Sequence, residues 1–210
     1  MTIANFIRKH LGLKMVFDDN SKFITKYCKG KGLEIGGSSH MLFDINALNV
    51  DYSDHKDPDD KYHKQQMEIA GKLKKVDIIA KGDNIPLKDN SVDFVFSSHV
   101  IEHFYEPVSA INEWLRLVKP GKYVVMVVPH KDRTFDLKKP CTTIEEFENR
   151  RREYDKNASY EDRHHSVWTT ETFLEFAKYY NFNVVYVTDT VAPRLGNSFG
   201  IVLKKERKRK

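Results

Sequence analysis

Cysteine is scarce in this chain of 210 residues: Cys28 and Cys141 stand alone. They make neither a disulfide framework nor a CxxC site. Long apolar runs are also missing. Met1 to Met15 is interrupted by Arg8, Lys9, His10 and Lys14, and its Ile3, Phe6, Ile7 and Leu11 suit a helix packed on the domain. With no signal peptide or membrane span visible, a soluble, cytoplasmic protein is expected. A pervasive excess of one charge is absent too. Lys204 to Lys210 carries six basic residues and one acid, a net +5 that equals the formal charge of the whole chain. The body is near neutral, so no nucleic-acid partner is expected. The 204–210 tail reads as a solvated end or as an interaction tail. No internal repeat is found.

What is present is a core. Hydrophobic residues make up 40% and aromatics 12%, which argues against disorder. One domain over 1–210 is expected, with an N-terminal helical segment at 1–31 and a polar, Arg- and His-rich insertion at 131–168. Strand and helix patterns alternate. A helix ends near Cys28, and short strands are predicted at Gly32–Ile35 and Asn49–Asp51. A polar helix follows from Asp59 to Leu73, then a third strand at Val76–Ala80. Ser91 to His130 reads as a strand (Val92–Phe96), a loop carrying HVIEH, a helix and a second strand (Tyr123–Val128). Both strands are nearly unbroken apolar runs, as parallel strands covered on both faces are. The helix stripe is Val108, Ile111, Leu115 and Val118, with Pro120-Gly121 as the stop. A helix over Thr170–Tyr180, capped by Thr169 or Thr170, precedes strands at Asn183–Thr188 and Phe199–Lys204. No helix separates those two, which predicts an antiparallel hairpin at the sheet edge.

Polar groups gather at the carboxyl ends of these strands, where open α/β sheets bind ligands. Gly36 and Gly37, in Leu33-Glu34-Ile35-Gly36-Gly37-Ser38-Ser39, permit a tight turn and a close ligand approach. A dinucleotide fingerprint is excluded, because the G-x-G-x-x-G spacing from Gly36 falls on Ser38 and Met41. His99, Glu102 and His103 stand at i, i+3 and i+4, so a helical segment would project them from one face. HVIEH also matches the inverted zincin pattern, but a protease is excluded because the motif follows a buried strand and opens a crossover. Three roles stay open for the cluster: divalent-metal ligation, general-base catalysis, and capping of the loop. His130, His164 and His165 are expected to converge on the same mouth. Arg133 and Arg163 flank these histidines as candidates to clamp a phosphate or carboxylate, whereas Arg150–Arg152 read as a solvated helical face.

The glycine turn and the run from strand four through HVIEH to Lys119-Pro120-Gly121 resemble the class I S-adenosylmethionine-dependent methyltransferases of the methyltransferase-11 type. The resemblance implies a Rossmann-like α/β fold: a seven-stranded, mostly parallel sheet with an antiparallel C-terminal hairpin and helices on both faces. It implies S-adenosylmethionine as cofactor. Glu34, Gly36, Gly37 and Ser38 would lie at its methionine end, Asp51 and Tyr52 at the ribose, and Asp83, Asn84 and Ile85 at the adenine, with Ser98 and His99 beside them. Only about thirteen residues separate the glycine loop from Asp51, too few for a full crossover helix. Quinone-precursor O-methyltransferases resemble this chain in a Glu-His pair and use a divalent ion, but carry an acid where His99 stands.

Candidate catalytic residues are His99, His103, His130 and His165. Candidate metal ligands are His99, Glu102 and His103, and candidate acceptor contacts are Arg133, Arg163 and His164. The Asp/Asn-Pro-Pro-Tyr motif of amino-methylating nucleic-acid enzymes is absent; Ser97-Ser98-His99-Val100 occupies its place. Pro140-Cys141 follows strand five, the wrong place for a cytosine nucleophile. Residues 32–168 resemble a subfamily associated with bacterial surface-polysaccharide synthesis, implying an oxygen acceptor on a sugar or phosphorylated glycan precursor of the capsule or O-antigen type. Methylation of a phosphate-type oxygen, methylation of another small metabolite, and a non-catalytic cofactor-binding partner remain as alternatives.

Overall fold

The computed structural model describes residues 22–37, 45–155, 163–191 and 196–207. The expected N-terminal helix over Met1–Met15, the residue Ser38 and the last residues of the basic tail lie outside them. In chain order the elements are α1 (Lys22–Tyr27), β1 (Gly32–Ile35), β2 (Ala47–Asp51), α2 (Lys61–Ala70), β3 (Ile78–Ile79), β4 (Val92–Ser98), α3 (Pro107–Leu117), β5 (Val118–Pro129), α4 (Ile144–Glu153), α5 (Thr170–Tyr179), β6 (Val184–Thr188) and β7 (Ser198–Lys204). The seven strands form one sheet in the order β3-β2-β1-β4-β5-β7-β6. The pairings from β3 through β5 are parallel. β7 runs antiparallel between β5 and β6, so the C-terminal hairpin forms the sheet edge that the missing helix predicted.

Strand alternation divides the core into two layers. Val124, Met126 and Val128 of β5 pack with Ile111, Trp114 and Leu117 of α3, Phe147 of α4, and Phe173 and Phe176 of α5. Val125 and Val127 point the other way and pack with Phe94 and Phe96 of β4 and Phe23 and Ile24 of α1. Residues two apart share a face and adjacent ones oppose, which is why the central strands read as continuous apolar runs.

Local chemistry sets the helix ends. Asp60 caps α2 by accepting from the backbone N–H groups of Tyr62 and His63, and Gly71 closes it in the left-handed conformation. α2 is shorter than the polar pattern predicted. Capping boxes start α4 at Thr143/Glu146 and α5 at Thr169/Thr172. Glu106 caps α3, whose buried stripe centres on Trp114. That helix ends at Leu117, and Val118 already pairs with Val92 of β4. The stop falls before Pro120 because a helical turn there would clash with the proline ring. Gly121, at φ 82°, then takes a left-handed turn that shifts the register by several residues before Tyr123 meets Phe94. β3 is two residues long, shorter than the expected Val76–Ala80, and pairs at the sheet edge with β2. Among the described residues no helix is long and apolar enough to cross a membrane. At the start of the tail, Lys205 donates to Asn90 Oδ1 (2.7 Å) and the Arg116 carbonyl (3.0 Å), so this part is anchored.

Candidate active site

The sheet order places the ends of β3, β2, β1 and β4 side by side, bringing four separate loops to one edge. At β1, the Gly36 N–H donates to the Val50 carbonyl at 2.8 Å, extending the β1–β2 pairing into the turn. Gly36 has φ 64°, and an added Cβ would come within 2.7 Å of Val100 Cγ2. At Gly37 a Cβ would meet Lys74 Nζ at 2.7 Å and both Asn49 Oδ1 and the Glu34 carboxyl carbon at 2.8 Å. The second glycine therefore lies directly against a polar cluster. Within it Lys74 donates to the buried Glu34 carboxylate. Burial pushes the Glu34 carboxyl up from its ordinary range, and the Lys74 charge opposes that rise. Lys74 lies between α2 and β3 and carries no pattern in the sequence that would have marked it.

At the end of β2, Asp51 is 6% exposed and Oδ1 accepts from the Tyr52 N–H at 2.8 Å. His55, fully buried at φ 51°, places Nε2 3.3 Å from the same oxygen and Nδ1 3.2 Å from Asp60 Oδ2. Burial raises the Asp51 carboxyl above its usual range, against the pull of His55. Tyr52 is 40% exposed and packs edge-on to the His55 ring. Past β3, Asp83 accepts from the Tyr154 hydroxyl, tying the end of α4 to this loop. Asn84 is exposed, whereas Ile85 is 2% exposed and packed into the main core, its N–H donating to Glu113. Ile85 thus shapes the loop from beneath. Trp114 Nε1 holds the same loop through the Gly82 carbonyl at 2.8 Å.

The histidines separate into three environments. His99 follows the half-buried Ser98 at the end of β4, and its N–H donates to the Val127 carbonyl at 2.9 Å. Its φ is 55°, a left-handed conformation that costs energy in a residue with a Cβ and concentrates at functional sites. The chain therefore does not run helically from His99 to His103; only Ile101–His103 form a single 3-10 turn. The expected shared face of His99, Glu102 and His103 is corrected accordingly. His99 sends Nε2 to Ser198 Oγ at 2.5 Å, and Ser198 donates its own hydrogen to Asn197 Oδ1 at 3.0 Å. Ser198 must then accept from His99, which puts the imidazole proton on Nε2 and the lone pair on Nδ1.

Glu102 and His103 instead meet His164 from the 131–168 segment. One donor atom from each lies within 4.8 Å of the other two. Glu102 is fully buried, and its carboxyl is pushed up to about 8, by burial above all and by the nearby Asp136 charge. The His165 and Ser166 N–H groups both donate to the Glu102 carbonyl, at 2.8 and 3.2 Å, docking the segment here. The His165 ring packs edge-on to Tyr105.

His130 occupies the third environment. Its Nδ1 accepts from the Asp132 N–H at 3.2 Å, capping the turn Lys131–Arg133. Its Nε2 lies 3.9 Å from Asp189. With Nδ1 accepting, the other nitrogen carries the proton, and His130 caps this turn beside Asp189. Arg133 likewise donates to Asp189 at 2.9 Å and to the Gly196 carbonyl at 3.4 Å. It fixes the approach to β7, and of the two expected acceptor clamps Arg163 is the exposed one. Arg150, expected on a solvated face, is partly buried over the Tyr105 and Phe147 rings and donates to Ser166 Oγ at 3.2 Å. Asp136, Tyr154, Asp189 and Ser198 were not foreseen as site residues, because each acquires its role from a partner far away in the chain.

Residues 30–126 match the family described as a methyltransferase domain. The match runs from the turn before β1 into β5, the part of the sheet that carries the loops after β1, β2, β3 and β4. The chain is 33% identical over 106 residues to an uncharacterized protein of Methanocaldococcus jannaschii, covering 50% of this chain and 47% of that one. It is 42% identical over 48 residues to a malonyl-[acyl-carrier protein] O-methyltransferase of a Marinomonas species, 23% of this chain and 18% of that protein. The chain thus spans about half or less of the length of these curated relatives. A solved S-adenosylmethionine-dependent methyltransferase of Clostridium acetobutylicum superposes with a TM-score of 0.55 at 11% identity, over 97% of this chain and 98% of that one.

Proposed function

We propose that the protein transfers a methyl group from S-adenosylmethionine to an oxygen of a small acceptor. The observation that carries this is the alignment of four strand ends along one side of the sheet: Glu34 in β1 with Gly36-Gly37 after it, Asp51 ending β2, Asp83 after β3 and His99 after β4. The residues fit the cofactor. Gly36 and Gly37 leave the backbone open where a side chain would collide with Val100 or Lys74, and Asp51 offers a buried carboxylate as acceptor for ribose hydroxyls. When bound, S-adenosylmethionine would supply an electrophilic methyl on a sulfonium, which the acceptor oxygen takes in line as the neutral thioether of S-adenosylhomocysteine leaves. Glu34 and Lys74, paired beside Gly37, would offer both charges to its methionine end. His99, with its lone pair on Nδ1, takes the proton from the acceptor hydroxyl. The Ser198–Asn197 chain holds the ring in that tautomer.

The acceptor we propose is a sugar hydroxyl, or an oxygen on a phosphorylated sugar, in a surface-glycan precursor. Support comes from the resemblance of residues 32–168, the lack of a proline-aromatic platform for a nucleic-acid base after β4, and the oxygen specificity in the name of the Marinomonas relative. The test measures formation of S-adenosylhomocysteine with sugar nucleotides and sugar phosphates as acceptors, alongside calorimetric binding of the cofactor. Stimulated turnover with a sugar acceptor and tight cofactor binding are expected. Tight NAD binding without cofactor binding overturns the methyltransferase reading; turnover confined to non-sugar acceptors overturns the glycan assignment.

A further inference from the structure

We infer that Glu102, His103 and His164 form a binding site for one divalent transition-metal ion, with Asp136 orienting His164. The first observation is chemical. Glu102 is fully buried, yet neither of its carboxylate oxygens has a hydrogen-bond partner. A buried carboxylate without a hydrogen-bond partner is strongly unfavourable unless it is neutralised or meets a cation. Among the described residues the ion-pair contacts of Glu102 are with two imidazoles, His164 Nε2 at 3.8 Å and His103 Nε2 at 3.9 Å from Oε1.

The second observation is geometric. Asp136, itself 2% exposed, holds His164 Nδ1 at 2.5 Å. That contact fixes the proton on Nδ1 and turns the Nε2 lone pair toward Glu102. A carboxylate behind a ligating imidazole is the usual support of a metal-bound histidine. Lys139, 2.7 Å from the other Asp136 oxygen, steadies that carboxylate in turn. The rings of His103 and His164 stand perpendicular with centroids 4.9 Å apart, and one nitrogen of each lies within 4.8 Å of a Glu102 oxygen.

Ligand type selects the ion. Two imidazoles and one carboxylate favour zinc, iron, cobalt or manganese over magnesium or calcium, which prefer all-oxygen shells. Ligands about 2.0–2.1 Å from a tetrahedral zinc stand about 3.4 Å apart. The 3.8 and 3.9 Å separations from Glu102 need contraction of about half an ångström, and the two imidazoles, whose ligand atoms lie within 4.8 Å of each other, close by up to about 1.4 Å through side-chain rotation. Three protein ligands leave a position open to an outside oxygen. The ion would join the turn after β4 to the segment leading into α5, on which His165 and Ser166 already dock.

The site stands apart from the methyl-transfer reading, since metal uptake is read without turnover. The experiment titrates chelator-stripped full-length protein with Co(II), following the visible d–d absorption, and then displaces Co(II) with Zn(II). One equivalent taken up with bands of a histidine-ligated, low-coordinate site is expected. Asp136→Asn should weaken Co(II) affinity about 10–100-fold, and Glu102→Gln and His164→Ala should abolish uptake, each while keeping the far-UV dichroism of the parent. Glu102→Gln and Asp136→Asn preserve shape, so they remain informative where His164→Ala does not fold. Folded protein that takes up no Co(II), or that binds it equally well in the Glu102→Gln and Asp136→Asn variants, overturns the inference.

Discussion

His99 Nε2 lies 2.5 Å from the hydroxyl oxygen of Ser198, joining the end of β4 to the first residue of β7. Because Ser198 donates onward to Asn197, the bond fixes which imidazole nitrogen can accept a proton. The tautomer of the proposed base is thus set by a strand inserted into the sheet from the C-terminus.

That relationship predicts a separation of effects. Ser198→Ala should lower the methyl-transfer rate about tenfold and His99→Ala by about 10²-fold or more, the range for a general base. Cofactor affinity should change little in both. Single-turnover rates and calorimetry measure the two quantities independently; a loss confined to cofactor affinity would assign His99 to binding alone.

Asp51 is predicted to trade stability for binding. Its folded pKa is raised by burial, against the pull of His55, above the ordinary carboxyl value of 3.8. A carboxyl with a raised folded pKa favours folding most below its unfolded pKa and loses that contribution as pH rises through the folded value. At neutral pH the ionised Asp51 therefore costs stability. Asp51→Asn should raise the melting temperature of the cofactor-free protein at pH 7, with the difference vanishing below about pH 3.8. It should also weaken cofactor binding by about 1–3 kcal/mol, the scale for a hydrogen bond to a charged group. Scanning calorimetry with and without S-adenosylmethionine checks both signs; a destabilised apo variant at pH 7 would contradict the argument.

Much of the frame was legible in the sequence because its cause is local. The apolar runs Val92–Phe96 and Tyr123–Val128 declared central strands, and two strands without a helix between them declared the β6–β7 hairpin. The glycine turn and Asp51 were legible for the same reason, lying at strand ends. The histidine site was not. A helical spacing joined His99 to Glu102 and His103, but a single left-handed residue at His99 breaks that face, and periodicity does not encode one dihedral angle. The true neighbour, His164, arrives from sixty residues away with Asp136 behind it. Arg133 shows the same limit: its position beside a histidine indicated an anion clamp, while Asp189 on the connection after β6 had already engaged it.

Trp114 links the core to the proposed adenine loop, through a fully buried ring and the bond from Nε1 to the Gly82 carbonyl. Trp114→Phe should destabilise the fold by about 2–4 kcal/mol, from lost packing and an unsatisfied carbonyl. It should also weaken cofactor binding, since Asp83 and Asn84 follow that carbonyl directly. Urea denaturation and a cofactor titration test this; full cofactor affinity in a destabilised variant would show that the loop is held by Ile85 and Glu113 instead.

The final prediction concerns His130 and acid. Its pKa is lowered from 6.5, chiefly by burial and then by the Arg133 charge, while Asp189, Asp132 and Glu171 pull the other way. A base whose folded pKa is depressed supports folding above its unfolded pKa, and that support fades as pH falls through the folded value, because the unfolded chain takes the proton first. Between pH 6.5 and the lower folded value, stability should therefore fall in part through His130. His130→Asn retains a side-chain acceptor for the Asp132 N–H, as asparagine does at helix starts, yet removes the titration. Unfolding free energies from urea titrations should then decline less steeply below pH 6.5 in the variant than in the parent, with the two converging in slope above it. Parallel curves across that range would show that burial of His130 does not contribute to acid sensitivity and that other groups carry it.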